Sequence, residues 1–161
     1  MGSVTTHSSA PVPTPASATG STPSSPPARA TVVWVAVFLA WTGFVWVGRI
    51  RNALGDTALD DGGRTGPLLL ALSFVVPAVV VAVLLVLAVR SGGAPAAVAR
   101  LRVGVLALAV WTTGVWIVRA GDIVLGGDHE VGFVVVHVVL AVVSIALATL
   151  AARSVRRPAA G

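Results

Sequence analysis

Residues 41–49 read W-T-G-F-V-W-V-G-R, and residues 111–119 read W-T-T-G-V-W-I-V-R. The two stretches share, without a gap, two tryptophans, a threonine, a valine and the final arginine. Each stretch closes a long apolar segment, and a second apolar segment follows each of them. The chain is therefore predicted to contain two tandem copies of a two-helix hairpin. The coinciding residues are Trp41 with Trp111, Thr42 with Thr112, Val45 with Val115, Trp46 with Trp116, and Arg49 with Arg119.

The composition around this repeat is typical of a membrane protein. The chain is 56% hydrophobic and 11% charged, whereas about a quarter of a soluble domain is charged. Four apolar runs are each close to the roughly 20 residues that a helix needs to cross a bilayer. We therefore predict an all-α, integral membrane four-helix up-down bundle, with a first hairpin at 30–90 and a second at 91–153. The four runs fall at about 30–48, 67–89, 103–121 and 131–152.

The arginines predict the orientation of the bundle. With four spans, the N-terminal segment, the middle loop and the C-terminal segment share one face, which carries seven arginines and no acid. The opposite face carries four arginines and all six acids, so both termini are predicted to be cytoplasmic in a bacterial plasma membrane. The first face holds Arg29, Arg90, Arg100, Arg102, Arg153, Arg156 and Arg157; the second holds Arg49, Arg51, Arg64, Arg119, Asp56, Asp60, Asp61, Asp122, Asp128 and Glu130.

The two terminal segments differ from the spans. Residues 1–29 are rich in Ser, Thr and Pro and have little to bury, so we expect a disordered tail. Residues 154–161 form a short basic tail. Because the arginines flank apolar spans, their expected partner is anionic lipid headgroups and not nucleic acid.

The threonine, second tryptophan and arginine of each copy lie on one helix face, since they are spaced i, i+4 and i+7. One interpretation is an interfacial belt of Trp46 and Trp116 with arginines that snorkel to the headgroups. In that arrangement Trp41 and Trp111 lie nearer mid-membrane and are expected to face the bundle interior. The belt would give the repeat an anchoring role only.

A second interpretation concerns the end of the third span. Sixteen residues separate Arg102 from Arg119, which is about 24 Å of helix and shorter than a bilayer core of about 30 Å. Arg119 would then lie inside the apolar zone and pair with Asp122 at i+3. Arg49 has Asn52 at the matching position. The second hairpin is therefore the expected place for specific chemistry.

His137 is the only histidine within a span, and it begins a stripe of small residues at i+4, i+7 and i+11. The stripe consists of Ala141, Ser144 and Ala148. It is interpreted either as a helix contact in which the histidine hydrogen-bonds across the interface, or as part of a haem, metal or proton-relay site. The first copy has Ala71 at the aligned position, which argues against a symmetric two-ligand site.

Several absences narrow the function. Without cysteine, disulfides, thiolate catalysis and Cys-ligated metals are excluded. The sequence also lacks a Gly-rich phosphate loop, an H-E-x-x-H motif and a nucleophile elbow, and no carboxylate lies mid-span. We therefore expect no enzyme and no cofactor.

Three functions remain open at this stage. The leading hypothesis is a non-enzymatic bundle that acts through helix packing, with another membrane protein or with its own copies. The first alternative is a small transporter or channel for an anion or proton that uses Arg119, Asp122 and His137. The second alternative is a redox accessory subunit that binds haem or quinone.

The second half of the chain also resembles a known module. W-x4-W-x2-R at 111–119 is followed at 132–144 by G-F-V-V-V-H-V-V-L-A-V-V-S. This pattern is similar to a two-helix module of small actinobacterial multi-pass membrane proteins, in which a Trp-rich helix precedes one reading F-x-x-V-H-x-x-L-A-V-V-S. The resemblance covers roughly residues 103–152, and the first half keeps only the Trp-Arg part. It implies a membrane protein and no particular activity.

Overall fold

The structure, a computed structural model, describes residue 2 and residues 27–58, 60–126 and 130–156. The tail expected at 1–29 and the basic tail at 154–161 lie largely outside these ranges. The described part of the chain contains four α-helices and no strand, which confirms the predicted all-α four-helix class. The helices are α1 (Arg29–Gly55), α2 (Asp61–Arg90), α3 (Pro95–Leu125) and α4 (Val131–Arg156).

Each helix is long and apolar enough to cross a membrane. The shortest, α4, has 26 residues, which is about 39 Å of helix against a hydrocarbon core of about 30 Å. The chain therefore has the architecture of a multi-pass membrane protein.

The helices are longer than the apolar runs predicted, because local capping extends them into the linkers. Most of the sequence between the first two predicted apolar runs is helical: Asp60 caps α2 by accepting a hydrogen bond from the Gly63 amide at 2.7 Å. Pro95 opens α3 eight residues before the predicted start of that span. Between α2 and α3 only residues 91–94 remain outside a helix.

The turn between α2 and α3 is fixed by two glycines. Gly92 and Gly93 have φ values of 62° and 85°, a left-handed conformation that side chains with a Cβ disfavour. The Gly93 amide donates to the Ala88 carbonyl at 3.0 Å and the Gly92 amide donates to the Val89 carbonyl at 3.1 Å. These bonds form a Schellman motif, which ends α2 abruptly and reverses the chain.

The four helices form a closed ring in which α1 and α3 each pack against both α2 and α4. The short loops make sequential helices antiparallel. The Thr31 hydroxyl donates to the Ser154 carbonyl at 3.1 Å, which joins the start of α1 to the end of α4. The ends of α1 and α3 and the starts of α2 and α4 lie at one end of the bundle. We call it the acidic end because the described acids lie there: Asp56, Asp60, Asp61, Asp122 and Glu130.

The interior consists of two apolar clusters. The cluster nearer the termini is built mostly from aliphatic side chains and includes Val35, Leu85, Leu101 and Val105. The cluster nearer the acidic end is aromatic, with small residues between the rings, and consists of Val45, Trp46, Ala71, Phe74, Trp116 and Ala141.

The two copies turn the same positions inward. In α1 and α3, residues 70 apart in sequence are buried together, and in α2 and α4, residues 66 apart are buried together. These aligned buried pairs are Val35 and Val105, Phe38 and Leu108, Thr42 and Thr112, Trp46 and Trp116, Ala71 and His137, Ala78 and Ser144, and Leu85 and Ala151.

Candidate functional site

The second tryptophan of each copy lies inside the bundle and not on its outer surface, where a belt would have to face lipid. Trp46 is 6% exposed and Trp116 is 3% exposed. Trp46 stacks on Phe74 with ring centroids 3.9 Å apart, and its ring lies 6.3 Å from that of Trp116. The prediction of an interfacial belt is therefore wrong for both residues. Ala71 and Ala141 leave room between the helices at this level, and the large rings fill it.

The first tryptophans of the two copies, Trp41 and Trp111, differ in their exposure. Trp111 is 45% exposed, so the prediction that it faces the interior is wrong. Trp41 is half-buried, and its indole N–H donates to the Ser144 hydroxyl at 2.9 Å. The residue of the first copy that is aligned with Ser144 is Ala78, which has no hydroxyl to accept such a bond from Trp111. The same side chain type is thus held inside in one copy and left outside in the other.

The stripe on α4 faces the bundle interior along its whole length. His137, Ala141, Ser144 and Ala148 are all buried, with exposures of 8%, 4%, 3% and 0%. The small residues let α1 approach α4 closely, and the two polar members each take a partner from α1. The stripe therefore makes its contacts within this chain.

His137 contacts Arg49, whereas the sequence had suggested Arg119. Arg49 Nη2 lies 2.7 Å from His137 Nε2, and His137 Nδ1 lies 2.8 Å from the Phe133 carbonyl oxygen. A guanidinium group has no acceptor, so Nε2 must accept from Arg49 and Nδ1 must carry the ring proton that is donated to the carbonyl. The two bonds together specify one neutral tautomer.

This contact draws a charge into the bundle. His137 lies six residues after Val131, the first residue of α4, which is about 9 Å along the helix axis. Arg49 therefore points towards the interior, and the snorkelling prediction is wrong for it. Its guanidinium group is held by a neutral acceptor, so its positive charge is not compensated there.

Arg119 has no corresponding partner. In the first copy the residue aligned with His137 is Ala71, whose methyl group accepts no hydrogen bond. Arg119 makes no hydrogen bond or ion pair with any residue that the structure describes. The predicted pair with Asp122 is not formed: within the described ranges the ion pair shorter than 4.0 Å joins Arg64 and Asp61 at the surface.

Both arginines line one cavity at the acidic end, which we call the arginine cavity. It has a volume of about 320 Å³, and an adjoining pocket of about 440 Å³ shares six of its residues and adds Asn52 and Asp56 among others. Arg119 is close enough to repel Arg49 electrostatically. The cavity is lined by Trp46, Arg49, Leu70, Val115, Trp116, Arg119, Asp122, Ile123, Phe133 and His137.

Hydrogen-bond donors predominate around this cavity. Arg49 keeps unused N–H groups, all those of Arg119 are unused, and the Trp116 indole nitrogen is enclosed without a partner among the described residues. An enclosed donor without an acceptor costs about 1–3 kcal/mol. Asp122 is the one acid that lines the main cavity, and it lies beyond ion-pair distance of both guanidinium groups. The described site therefore has more positive charge and more donors than it can satisfy itself.

A haem or metal role for His137 finds no support in this geometry. Arg49 occupies one ring nitrogen and the Phe133 carbonyl occupies the other. A ligand bond to a metal would require one of these contacts to break. Among the described residues there is also no group of three or more His, Asp or Glu side chains that is placed to hold a metal ion.

The fold and the site together define a helical multi-pass membrane protein with a cationic cavity at one end of its bundle. No family model matches the chain, and no curated protein or solved structure was found to be similar to it. The arguments for function therefore rest on the residues of this chain.

Proposed function

We propose that this membrane protein binds a small anion in the arginine cavity. The observation that carries the proposal is that Arg49 and Arg119 line one cavity and that neither is in ion-pair contact with a carboxylate of the described residues. Two uncompensated like charges destabilise each other, and a bound anion between them removes that repulsion. Of the hypotheses raised by the sequence, this one develops the anion transporter or channel.

The donors favour an oxyanion. Carboxylate, phosphate and sulfate groups accept two parallel bonds from one guanidinium group, which gives both energy and orientation. Arg119 has its full set of N–H groups available for such a pair. The aromatic walls, Trp46, Trp116 and Phe133, give the bound anion an environment with little water, in which these bonds are stronger than in solution.

The cavity is closed on the side of the termini. Below it, the described helices meet in the aliphatic cluster, whose members include Phe38 and Val105 at 0% exposure. The close packing of these buried side chains fits a binding site reached from the acidic end. Transport of the anion would require the aliphatic cluster to open, as in alternating access.

One of the features behind the packing hypothesis is less favourable to it. The small-residue stripe of α4 is buried within the bundle, so it is not an open surface for another protein. A partner would have to use other residues. A quinone could not hydrogen-bond to His137 in this arrangement, because Arg49 and the Phe133 carbonyl already engage both ring nitrogens.

Tryptophan fluorescence tests the proposal directly. Trp46 and Trp116 line the cavity, so an anion that enters it should change their emission. Full-length protein in a neutral detergent is titrated with phosphate, sulfate and acetate at constant ionic strength. We expect a saturable change with at least one of them, and Arg119→Gln should weaken that binding roughly tenfold to hundredfold, as loss of a charged hydrogen bond predicts.

Arg51→Gln is the matched control. Arg51 is an exposed arginine at the same end that does not line the cavity, so its loss should change the affinity by less than about twofold. Absence of a saturable response to all three anions would contradict the proposal. An equal loss in both variants would contradict it too, since it would indicate general surface charge. Anion flux into liposomes then separates transport from binding alone.

A further inference from the structure

A long apolar groove on the outside of the bundle joins the arginine cavity. The groove has a volume of about 1030 Å³ and runs along α3 beside α2. It shares Leu70, Val115 and Arg119 with the cavity, so the same guanidinium group borders both spaces. The groove is lined by Leu70, Val103, Leu106, Ala107, Val110, Trp111, Gly114, Val115, Val118 and Arg119.

The length of the groove suits a hydrocarbon chain. Val103 and Val118, near its two ends, are fifteen residues apart on α3, which is about 22 Å. One leaflet of a bilayer contributes about 15 Å of hydrocarbon. An acyl chain from the leaflet at the acidic end can therefore lie in the groove along the full length of the chain. The guanidinium group of Arg119 then lies at the level of that lipid's headgroup.

The groove is a property of the second copy. Gly114 forms part of its floor, and a Cβ built there would meet no atom within 4 Å. The residue at the aligned position of the first copy is Phe44, whose large side chain is 73% exposed and projects from α1. The second copy is also the one whose arginine has no partner among the residues that the structure describes. Both halves of an amphipathic site, an apolar groove and a cation, thus coincide on α3.

Charge decides which molecule fits. Arg119 is exposed beside the groove and makes no ion pair with a described residue. Such a cation at the edge of the apolar zone is unfavourable unless an anion neutralises it. A second copy of this chain would bring another Arg119 and not an anion, and a neutral lipid would leave the cation uncompensated. A lipid with an acidic headgroup satisfies both the cation and the groove.

We infer that the site holds an acidic phospholipid, with its phosphate at Arg119 in the mouth of the arginine cavity and one acyl chain in the groove of α3. This inference rests on the proposed function, because it names the class of anion that the cavity receives. The lipid is then a resident ligand of the bundle or its cargo, taken from the leaflet at the acidic end.

Brominated lipids test the inference, because bromine on an acyl chain quenches a tryptophan only on contact. Full-length protein in mixed micelles receives equal mole fractions of phosphatidylglycerol or phosphatidylcholine, each brominated on its chains. Trp111 lines the groove, so phosphatidylglycerol should quench it at lower mole fraction. Arg119→Gln should reduce the preference for phosphatidylglycerol roughly tenfold or more, and Arg51→Gln should preserve it.

Gly114→Leu tests the groove separately. A Cβ at this position meets no atom within 4 Å, and the rest of the leucine occupies space in the groove. The variant should therefore weaken quenching by phosphatidylglycerol while the titration with inorganic phosphate stays unchanged. Gly43→Leu is its control, because Gly43 is also a helical glycine with open space at its Cβ but lies outside the groove.

The outcomes separate the two proposals. Phosphate binding that depends on Arg119, together with equal quenching by the two lipids, would overturn the lipid inference and leave the proposed function in place. Absence of both responses would overturn both. A Gly114→Leu variant that binds phosphatidylglycerol as well as Gly43→Leu does would also overturn the inference, since the chain would then lie elsewhere.

Discussion

Replacing Arg49 and His137 singly and together measures the contact on which the geometry of the site depends. A hydrogen bond to a charged group contributes about 1.5–3 kcal/mol, whereas neutral side-chain bonds in membrane proteins average about 0.6 kcal/mol. The 2.7 Å contact between Arg49 and His137 is of the first kind. We therefore expect a coupling free energy of about 1.5 kcal/mol in a cycle of Arg49→Ala and His137→Ala, which is roughly tenfold in the unfolding equilibrium.

The two single variants should lose different amounts of stability. His137→Ala leaves the Arg49 guanidinium group without an acceptor and still close to Arg119, so it should destabilise the protein by about 2–3 kcal/mol. Arg49→Ala also removes the repulsion between the two arginines, and the His137 Nδ1–H keeps its bond to the Phe133 carbonyl. Its cost should therefore be smaller, about 1 kcal/mol.

The assay is reversible unfolding in bicelles by increasing mole fractions of SDS, followed by tryptophan emission. Two further cycles calibrate it. Trp41→Phe with Ser144→Ala breaks the neutral bond of 2.9 Å and should give a coupling of about 0.6 kcal/mol. Arg119→Ala with His137→Ala joins two residues that line one cavity without a direct contact, so its coupling should be smaller than that of Arg49 with His137. A larger coupling for Arg119 than for Arg49 would refute the pairing described above.

Three further predictions concern the fold and its orientation. Gly104→Val should destabilise the protein by about 1–3 kcal/mol, because a Cβ there would lie 3.1 Å from a leucine of α2. Gly114→Val places its Cβ in open space and should not destabilise the protein. The same SDS titration compares the two variants. Gly93→Ala should cost about 1–2 kcal/mol, since its φ of 85° is strained for a residue with a Cβ, and equal stability of the alanine variant would contradict the Schellman turn. The chain has no cysteine, so single cysteines at Ser91 and Asp128 test the arginine count: in intact cells an impermeant thiol reagent should label position 128 only, and labelling at 91 would reverse the predicted orientation.

Much of the architecture follows from one-dimensional features of the chain. Apolar runs near the length of a bilayer predict four helices whatever their neighbours, because every backbone polar group in lipid must be satisfied within the segment. The exact ends were harder to predict, since caps such as Asp60 and Pro95 extend helices into polar sequence. The coincidence of the two Trp-Arg stretches also predicted which residues behave alike, as the shared burial of Thr42 and Thr112 shows.

The site was predicted only in its components. His137, Arg49 and Arg119 were all singled out, but the sequence assigned the histidine to Arg119, its nearer neighbour along the chain. In the ring of helices α4 lies beside both α1 and α3, and sequence distance does not choose between them. Leu70 and Phe133, which complete the cavity walls, carry no signal beyond their apolar character.

The sequence by itself therefore determined the number of spans, the repeat of the two-helix hairpin and the face on which the acids lie. Tertiary structure alone decided that Trp46 and Trp116 point inward, that Trp111 points outward, and that Arg49 takes the histidine and leaves Arg119 free. The physical reason is that these helices are apolar on nearly every side. A soluble helix marks its inner face by hydrophobic periodicity, whereas in a membrane both lipid and core are apolar, so only side-chain packing between helices fixes their rotation.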